Sequence, residues 1–221
     1  MSLESFAECY SSNDKCIKLV LRKSIGALTK FMPLLEELHL SNNCLGNPSG
    51  EFKHDAVRHL FLTCNLIDSF EDVNANLARN CQNLEVLSLA ECPLTNVPNV
   101  ENSSATAVEC EGFFRLTTLN VNTTKISSWD DIDKFRKFPK LSELRVKNCP
   151  LLDNYTAHER RMLLVARLPN ITILNGGDKI PSNEREDAER AFIRFYLNEE
   201  EKPTRYHELV EVHGNLGKYD C

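Results

Sequence analysis

No C-x-x-C pair occurs among the nine cysteines, and their number is odd. Neither a closed disulfide framework nor a common zinc spacing fits that usage, and reduced, buried thiols are expected. No apolar run approaches the roughly 18 residues that a membrane-spanning helix requires. Positive charge is not in excess either. Lys and Arg number 26 against 32 Asp and Glu, a net charge of −6, which argues against nucleic acid as the main partner. The eight glycines form no phosphate-cradling loop, and no nucleophile motif accompanies them. The polar start, Met1–Asn13, does not read as a secretory signal. N-x-S/T sequons begin at Asn102, Asn122, Asn154 and Asn170, but without such a signal they carry little weight. These absences lead to an expected cytoplasmic protein that is not an enzyme. No cofactor, metal, small-molecule substrate, nucleic acid or membrane is expected as partner.

What the chain does have is one phrase written five times. LEELHLSNNCL, VRHLFLTCNLI, LEVLSLAECPL, LTTLNVNTTKI and LSELRVKNCPL align on the pattern L-x-x-L-x-L-x-x-N/C-x-L. Their first positions, 35, 57, 84, 116 and 141, are separated by 22, 27, 32 and 25 residues. This is the signature of a leucine-rich repeat, one short strand and one convex element per coil. Leu38 and Leu40 are two apart, so both face into the coil. The N/C position follows, held by Asn43, Asn65, Cys92, Thr124 and Cys149, and is expected to bond along the stack from inside. No coil covers its own apolar face, so stability comes from stacking neighbours. The fold class read from the pattern is α/β. It is a leucine-rich repeat solenoid (horseshoe) with a parallel concave sheet, convex helices and a C-terminal helical cap.

Three segments follow. Residues 1–34 form a degenerate N-terminal repeat or edge, in which CIKLVL (16–21) reads as a strand with Leu19 and Leu21 inward. Residues 35–175 hold five full repeats and a partial sixth, started by Ile171 and Leu174 and stopped at Asn175-Gly176-Gly177. Residues 176–221 form the cap and tail. There Ser182 is expected to cap a helix whose stripe is Ala188, Ala191, Phe192 and Phe195. Thr204 is expected to cap a second helix that ends at Gly214. The polar stretch 96–112 reads as a convex or edge loop.

Residues between the inward leucines point out onto the concave face. The candidate partner-binding set is Glu37, His39, His59, Phe61, Ser88, Asn120, Asn122, Glu143, Arg145 and Lys147. Phe61 is either a binding anchor or packs on Val86 and His59 of its own face. Arg145 and Lys147 make a basic end suited to an acidic partner, or merely a solvated strand face. His39 and His59 fall on adjacent strands one ladder step apart, with no completing ligand, so no metal is expected. Glu159, Arg160 and Arg161, and the run Glu184–Glu189, read as helix-surface charge with pairs such as Glu186 and Arg190.

From Ser127 onward the chain carries a narrower likeness. SSWDDIDKFRKFPKLSELRVKNCPLL, HERRMLLVARLPNITILNG, EREDAERAFIRFYL and RYHEL resemble the tubulin-folding cofactor E family over roughly residues 115–217. Trp129, Asp131 and Ile132 match that family's convex W-x-D-I pattern. The resemblance implies tubulin binding, through roles in α-tubulin folding, dimer dissociation, microtubule destabilisation or tubulin turnover, and a place at the cytoskeleton. The CAP-Gly and ubiquitin-like domains found in the family are not seen in this sequence. Two alternatives stay open: a regulatory scaffold of the phosphatase-regulatory or splicing-particle type, and a partial product with exposed repeat edges and no activity of its own.

Overall fold

The computed structural model describes residues 16–18, 32–48, 53–97 and 113–215. Seven short strands form one parallel sheet in chain order: β1 (Cys16–Lys18), β2 (Glu37–His39), β3 (His59–Phe61), β4 (Val86–Ser88), β5 (Thr118–Asn120), β6 (Glu143–Arg145) and β7 (Ile173–Leu174). Strands paired in sequence order with no crossover are what a solenoid requires. The register puts Leu38, Leu60, Leu87, Leu119, Leu144 and Leu174 in one row. Each is no more than 2% exposed. Burying such a side chain contributes about 1.5–3 kcal/mol, so this spine adds to the cohesion of a core that continues through the convex side and the cap. In β1, Ile17 holds the register position of Leu38; the inward Leu19 and Leu21 expected there lie outside the described residues, as do residues 98–112 of the long third repeat.

Past each strand the ladder continues. Leu40, Leu62, Leu89 and Val121 donate to the next coil, and one turn later so do Asn42, Cys64, Glu91 and Thr123. Those four residues and Asn148 all have φ between 54° and 60°, the left-handed region that L residues seldom occupy. The coil therefore turns at the same point each time, whichever residue stands there. Inside the turn, the Asn65 amide binds two repeats together. Its Oδ1 accepts from Asn43 N (3.1 Å) and Leu45 N (2.9 Å), and its Nδ2 donates to Leu62 O (2.7 Å) and Leu40 O (3.0 Å). Further along, Cys92 Sγ, Thr124 Oγ1 and Cys149 Sγ donate to the carbonyls of Leu62, Val121 and Val121. Bonding along the stack, as expected, holds for Asn65, Cys92 and Cys149, whereas Asn43 Nδ2 and Thr124 Oγ1 donate to carbonyls of their own repeats.

The convex side varies with the space each repeat leaves. Repeat two carries α1 (Phe70–Val73), capped by Ser69 and running into a π turn at Asn74–Ala78. Repeat four carries α2 (Trp129–Lys134), capped by Ser128. Repeat five carries α3 (Ala157–Arg167), opened by a capping box between Thr156 and Glu159. Asp131, buried in α2, accepts from Val97 N (3.0 Å) and from Lys134 Nζ (2.8 Å). The W-x-D-I motif is thus a tie between consecutive coils.

The cap is α4 (Ser182–Tyr196) and α5 (Thr204–His213). Both helices start one residue earlier than expected at the cap, with Pro181 and Pro203 in the N-cap position. Proline has no N–H to lose and its φ suits the approach, so Ser182 and Thr204 become first helical residues. Gly214 ends α5 at φ +78°, as expected. The buried stripe of α4 is Ala188, Phe192 and Ile193, while Phe195 is 41% exposed beside Tyr155 and Tyr196; the helix is rotated from the expected stripe so that Ile193 takes the inner place. Arg185 donates to the carbonyls of Val165, Leu168 and Ile171, and Arg205 Nε to Ala166 O. Two cap arginines thereby satisfy the open end of α3 and the chain just beyond it. Of the described cysteines, Cys81, Cys92 and Cys149 are buried, but Cys44 and Cys64 are exposed. The expectation of buried thiols fails at those two because the left-handed turns at 44 and 64 carry their side chains outward.

Candidate functional site: the concave ladder

The register sets eight of the ten candidate residues in two rows of the sheet. Glu37, His59, Val86, Thr118 and Glu143 align in one row, and His39, Phe61, Ser88, Asn120 and Arg145 in the next. Asn122 and Lys147 follow one step beyond.

The N-terminal half is a packed acid–imidazole–aromatic patch. Glu37 Oε1 lies 2.6 Å from His39 Nε2, and Oε2 lies 3.4 Å from His59 Nδ1. The His39 ring stacks on Phe61 with centroids 4.4 Å apart and planes 7° from parallel. Phe61 thus packs on its own concave face, against His39, because strict register sets 39 opposite 61. It is half-buried.

The middle is small and neutral. Ser88 is only 5% exposed and its hydroxyl pairs with Thr63 at 2.9 Å, so it shapes the floor more than it offers a contact. Asn120 Oδ1 accepts from Asn122 N at 3.1 Å, and Asn122 Oδ1 from Lys147 N at 2.8 Å. The latter bond uses Asn122 to tie repeats four and five.

Exposure and positive charge rise toward the C-terminal end. Arg145 is exposed, donates Nε to Glu143 at 2.8 Å, and lays its guanidinium over Gly176. A Cβ at 176 would meet Arg145 Cζ at 3.5 Å, an ordinary contact, so it is the backbone at φ +71° that favours glycine there. Lys147 stands exposed beyond it. Arg160 and Arg161, expected as plain helix-surface charge, line a cleft beside Lys147. Nothing in their spacing signals this, since Lys147 is 13 residues away on another element.

Such a face suits recognition. A half-buried aromatic ring, an acid with two imidazoles, amides and a basic end offer contacts of several chemistries along one curved row. Among the described residues, no group of three or more His, Cys, Asp or Glu gathers to hold a metal, and no helix is long and apolar enough to cross a membrane.

No family model matches the chain. It is 35% identical over 217 residues to the tubulin-specific chaperone cofactor E-like protein of Homo sapiens, covering 94% of this chain and 50% of that protein. To the protein of the same name in Caenorhabditis elegans it is 34% identical over 202 residues, covering 89% and 44%. The chain thus spans about half the length of the curated relatives it matches. Among solved structures it is similar to the crystal structure of the Drosophila melanogaster SNF/U2A′ complex, at 14% identity and a TM-score of 0.44, covering 90% of this chain and 84% of that one.

Proposed function

We propose that this chain, a homologue of the tubulin-folding cofactor E family over nearly its whole length, is a non-catalytic module that binds tubulin through the concave ladder. The observation that carries the reading is identity to cofactor E-like proteins across 94% of the chain. It is supported by a concave face on which Phe61 is half-buried and Arg145 and Lys147 are exposed. Phe61 is the anchor at one end and Arg145 with Lys147 the basic contacts at the other, where an acidic surface would dock. A protein that binds free tubulin better than tubulin in the polymer shifts subunits out of microtubules by mass action. Destabilisation or turnover of microtubules then needs no bond-making chemistry, and places the protein in the cytoplasm at the cytoskeleton.

Gel filtration and co-sedimentation with purified tubulin test the reading. A complex is expected at about 10–50 µM, and Phe61→Ala should weaken it roughly tenfold. Failure to form any complex at that concentration removes tubulin as the partner. Recovery of a phosphatase or ribonucleoprotein subunit in its place, in an unbiased pull-down from extract, would favour a regulatory scaffold.

A further inference from the structure

At the C-terminal end of the concave sheet a cleft of about 430 Å³ opens between the turn after β6, helix α3 and the turn after β7. Leu152, Leu164 and Leu174 supply apolar lining; Lys147, Arg160 and Arg161 line it with charge, and no carboxylate does. In a chain with more acids than bases, three cations without an acid depart from the average surface.

The question is whether these cations are already engaged. Arg161 is: its Nε and Nη2 hold both oxygens of Glu184 from α4. Arg160 gives only Nε, to the neutral carbonyl of Tyr155 at 2.8 Å. Lys147 uses its backbone in the ladder and leaves its ammonium exposed. Neither Arg160 nor Lys147 has a carboxylate partner among the described residues. Asn175, also in the lining, has its oxygen taken by Val146 N at 2.8 Å, which leaves its NH2 to donate. The free polar groups identified here are thus donors, and two are charged.

We propose that this cleft binds an acidic peptide segment, its carboxylates on Lys147 and Arg160. Bidentate and charge-assisted bonds give such contacts their strength. The volume suits a side chain or two of an extended segment. A cleft of about 430 Å³ is larger than a bare inorganic anion needs, which favours a peptide. The proposal extends the tubulin reading around the rim and shares Lys147 with it, but its ligand is defined by chemistry and not by tubulin.

The test is fluorescence anisotropy with the full chain and a labelled peptide, Glu-Glu-Leu-Glu-Glu, against its Gln-Gln-Leu-Gln-Gln counterpart. Saturable binding of the acidic peptide is expected, weakening as salt rises from about 50 to about 300 mM. Lys147→Glu and Arg160→Glu should each weaken it roughly fivefold or more, while Lys140→Glu, the same charge change on another exposed surface, should not. Lys147→Gln gives a second reading with little risk to the fold, since that side chain has no internal bond. Equal binding of the glutamine peptide overturns the proposal, as does equal weakening by Lys140→Glu. Displacement by an equal concentration of tripolyphosphate would make this an anion site and also overturn it. Peptide binding lost while tubulin capture survives, or the reverse, separates this proposal from the one above.

Discussion

Arg167 Nη1 lies 2.7 Å from Asp133 Oδ2, joining the helix of the fifth repeat to that of the fourth in a seam where the arginine is only 2% exposed. The guanidinium also lies 4.7 Å from the Trp129 ring centroid, 5.2 Å from Phe192 and 5.5 Å from Tyr196. One cation thus gathers repeat four, repeat five and the cap. Burial pushes the Asp133 carboxyl above its usual range, and Arg167 holds it partly back. Arg167→Met keeps the volume but leaves Asp133 without its partner. We expect a loss of about 2–4 kcal/mol at neutral pH, below the full cost of an orphaned buried charge because Asp133 retains some water. The sign with pH follows. A carboxyl whose folded pKa is raised carries no penalty below its unfolded value near 4, and the penalty grows as pH rises past it. The loss should therefore shrink at about pH 4.5, and Asp133→Asn should restore part of it at pH 7. Urea unfolding at both pH values decides; equal losses without rescue would contradict the argument.

Thr123 is the least suited occupant of the left-handed column. It is β-branched, sits at φ +57°, and is exposed, while its N–H holds Lys147 O at 2.7 Å. Thr123→Asn keeps that bond and tolerates the conformation far better. It should raise stability by about 0.5–1 kcal/mol, whereas Thr123→Val should give no gain. The urea midpoint at unchanged slope reports this directly.

That column also marks where sequence reading ran out. The leucine spine was legible because a spacing of two fixes which side chains share a face, and the inner N/C row because its residues share hydrogen-bonding chemistry. Asn42 and Asn148 suit the left-handed conformation, but Cys64, Glu91 and Thr123 share no chemistry with them; closing the coil imposes the conformation on these three against propensity. The cap hid its logic for another reason. Arg167, Arg185 and Arg205 look like surface charge in a linear sequence, yet carbonyls and acids from distant elements surround them. On the concave face the rows were legible, but Ser88's burial and the His39–Phe61 stack depend on neighbours some 22 to 25 residues away.

Asn65 should be the costliest of the inner-row polar residues. Its amide satisfies four backbone groups across two repeats, and removing it leaves several of them buried without partners. Asn65→Ala is expected to cost about 3 kcal/mol, since each stranded group costs about 1–3 and water recovers some. Hydrogen exchange should speed up first at the Asn43 and Leu45 amides. Unchanged protection there would mean that the amide is not the tie between coils.

Thiol exposure separates the cysteines into two classes. Cys44 and Cys64 should react with maleimide in the native protein, and Cys81, Cys92 and Cys149 only on unfolding. Peptide mapping by mass spectrometry after a short pulse of reagent reads this out. Labelling of Cys81 as fast as Cys64 would contradict the packing.

Cys81 carries this further into a pH dependence. Burial pushes its thiol from near 9 up to about 12, although a backbone hydrogen bond from His54 pulls it partly down. Between those values the unfolded thiol has lost its proton while the folded one keeps it. The native state then binds more protons, so stability falls as pH rises, by about 1.4 kcal/mol per pH unit from this group once the unfolded thiol is fully ionised. Cys92, also raised by burial, adds to the slope in the same sense. Cys81→Ala removes one titrating thiol and opens a small cavity, so the mutant begins less stable and then declines less steeply with pH. Urea midpoints between pH 8 and pH 10, under reducing conditions, should therefore converge for mutant and wild type. Parallel lines would mean that Cys81 ionises in the folded state as readily as in the unfolded one, and that its surroundings are open to water.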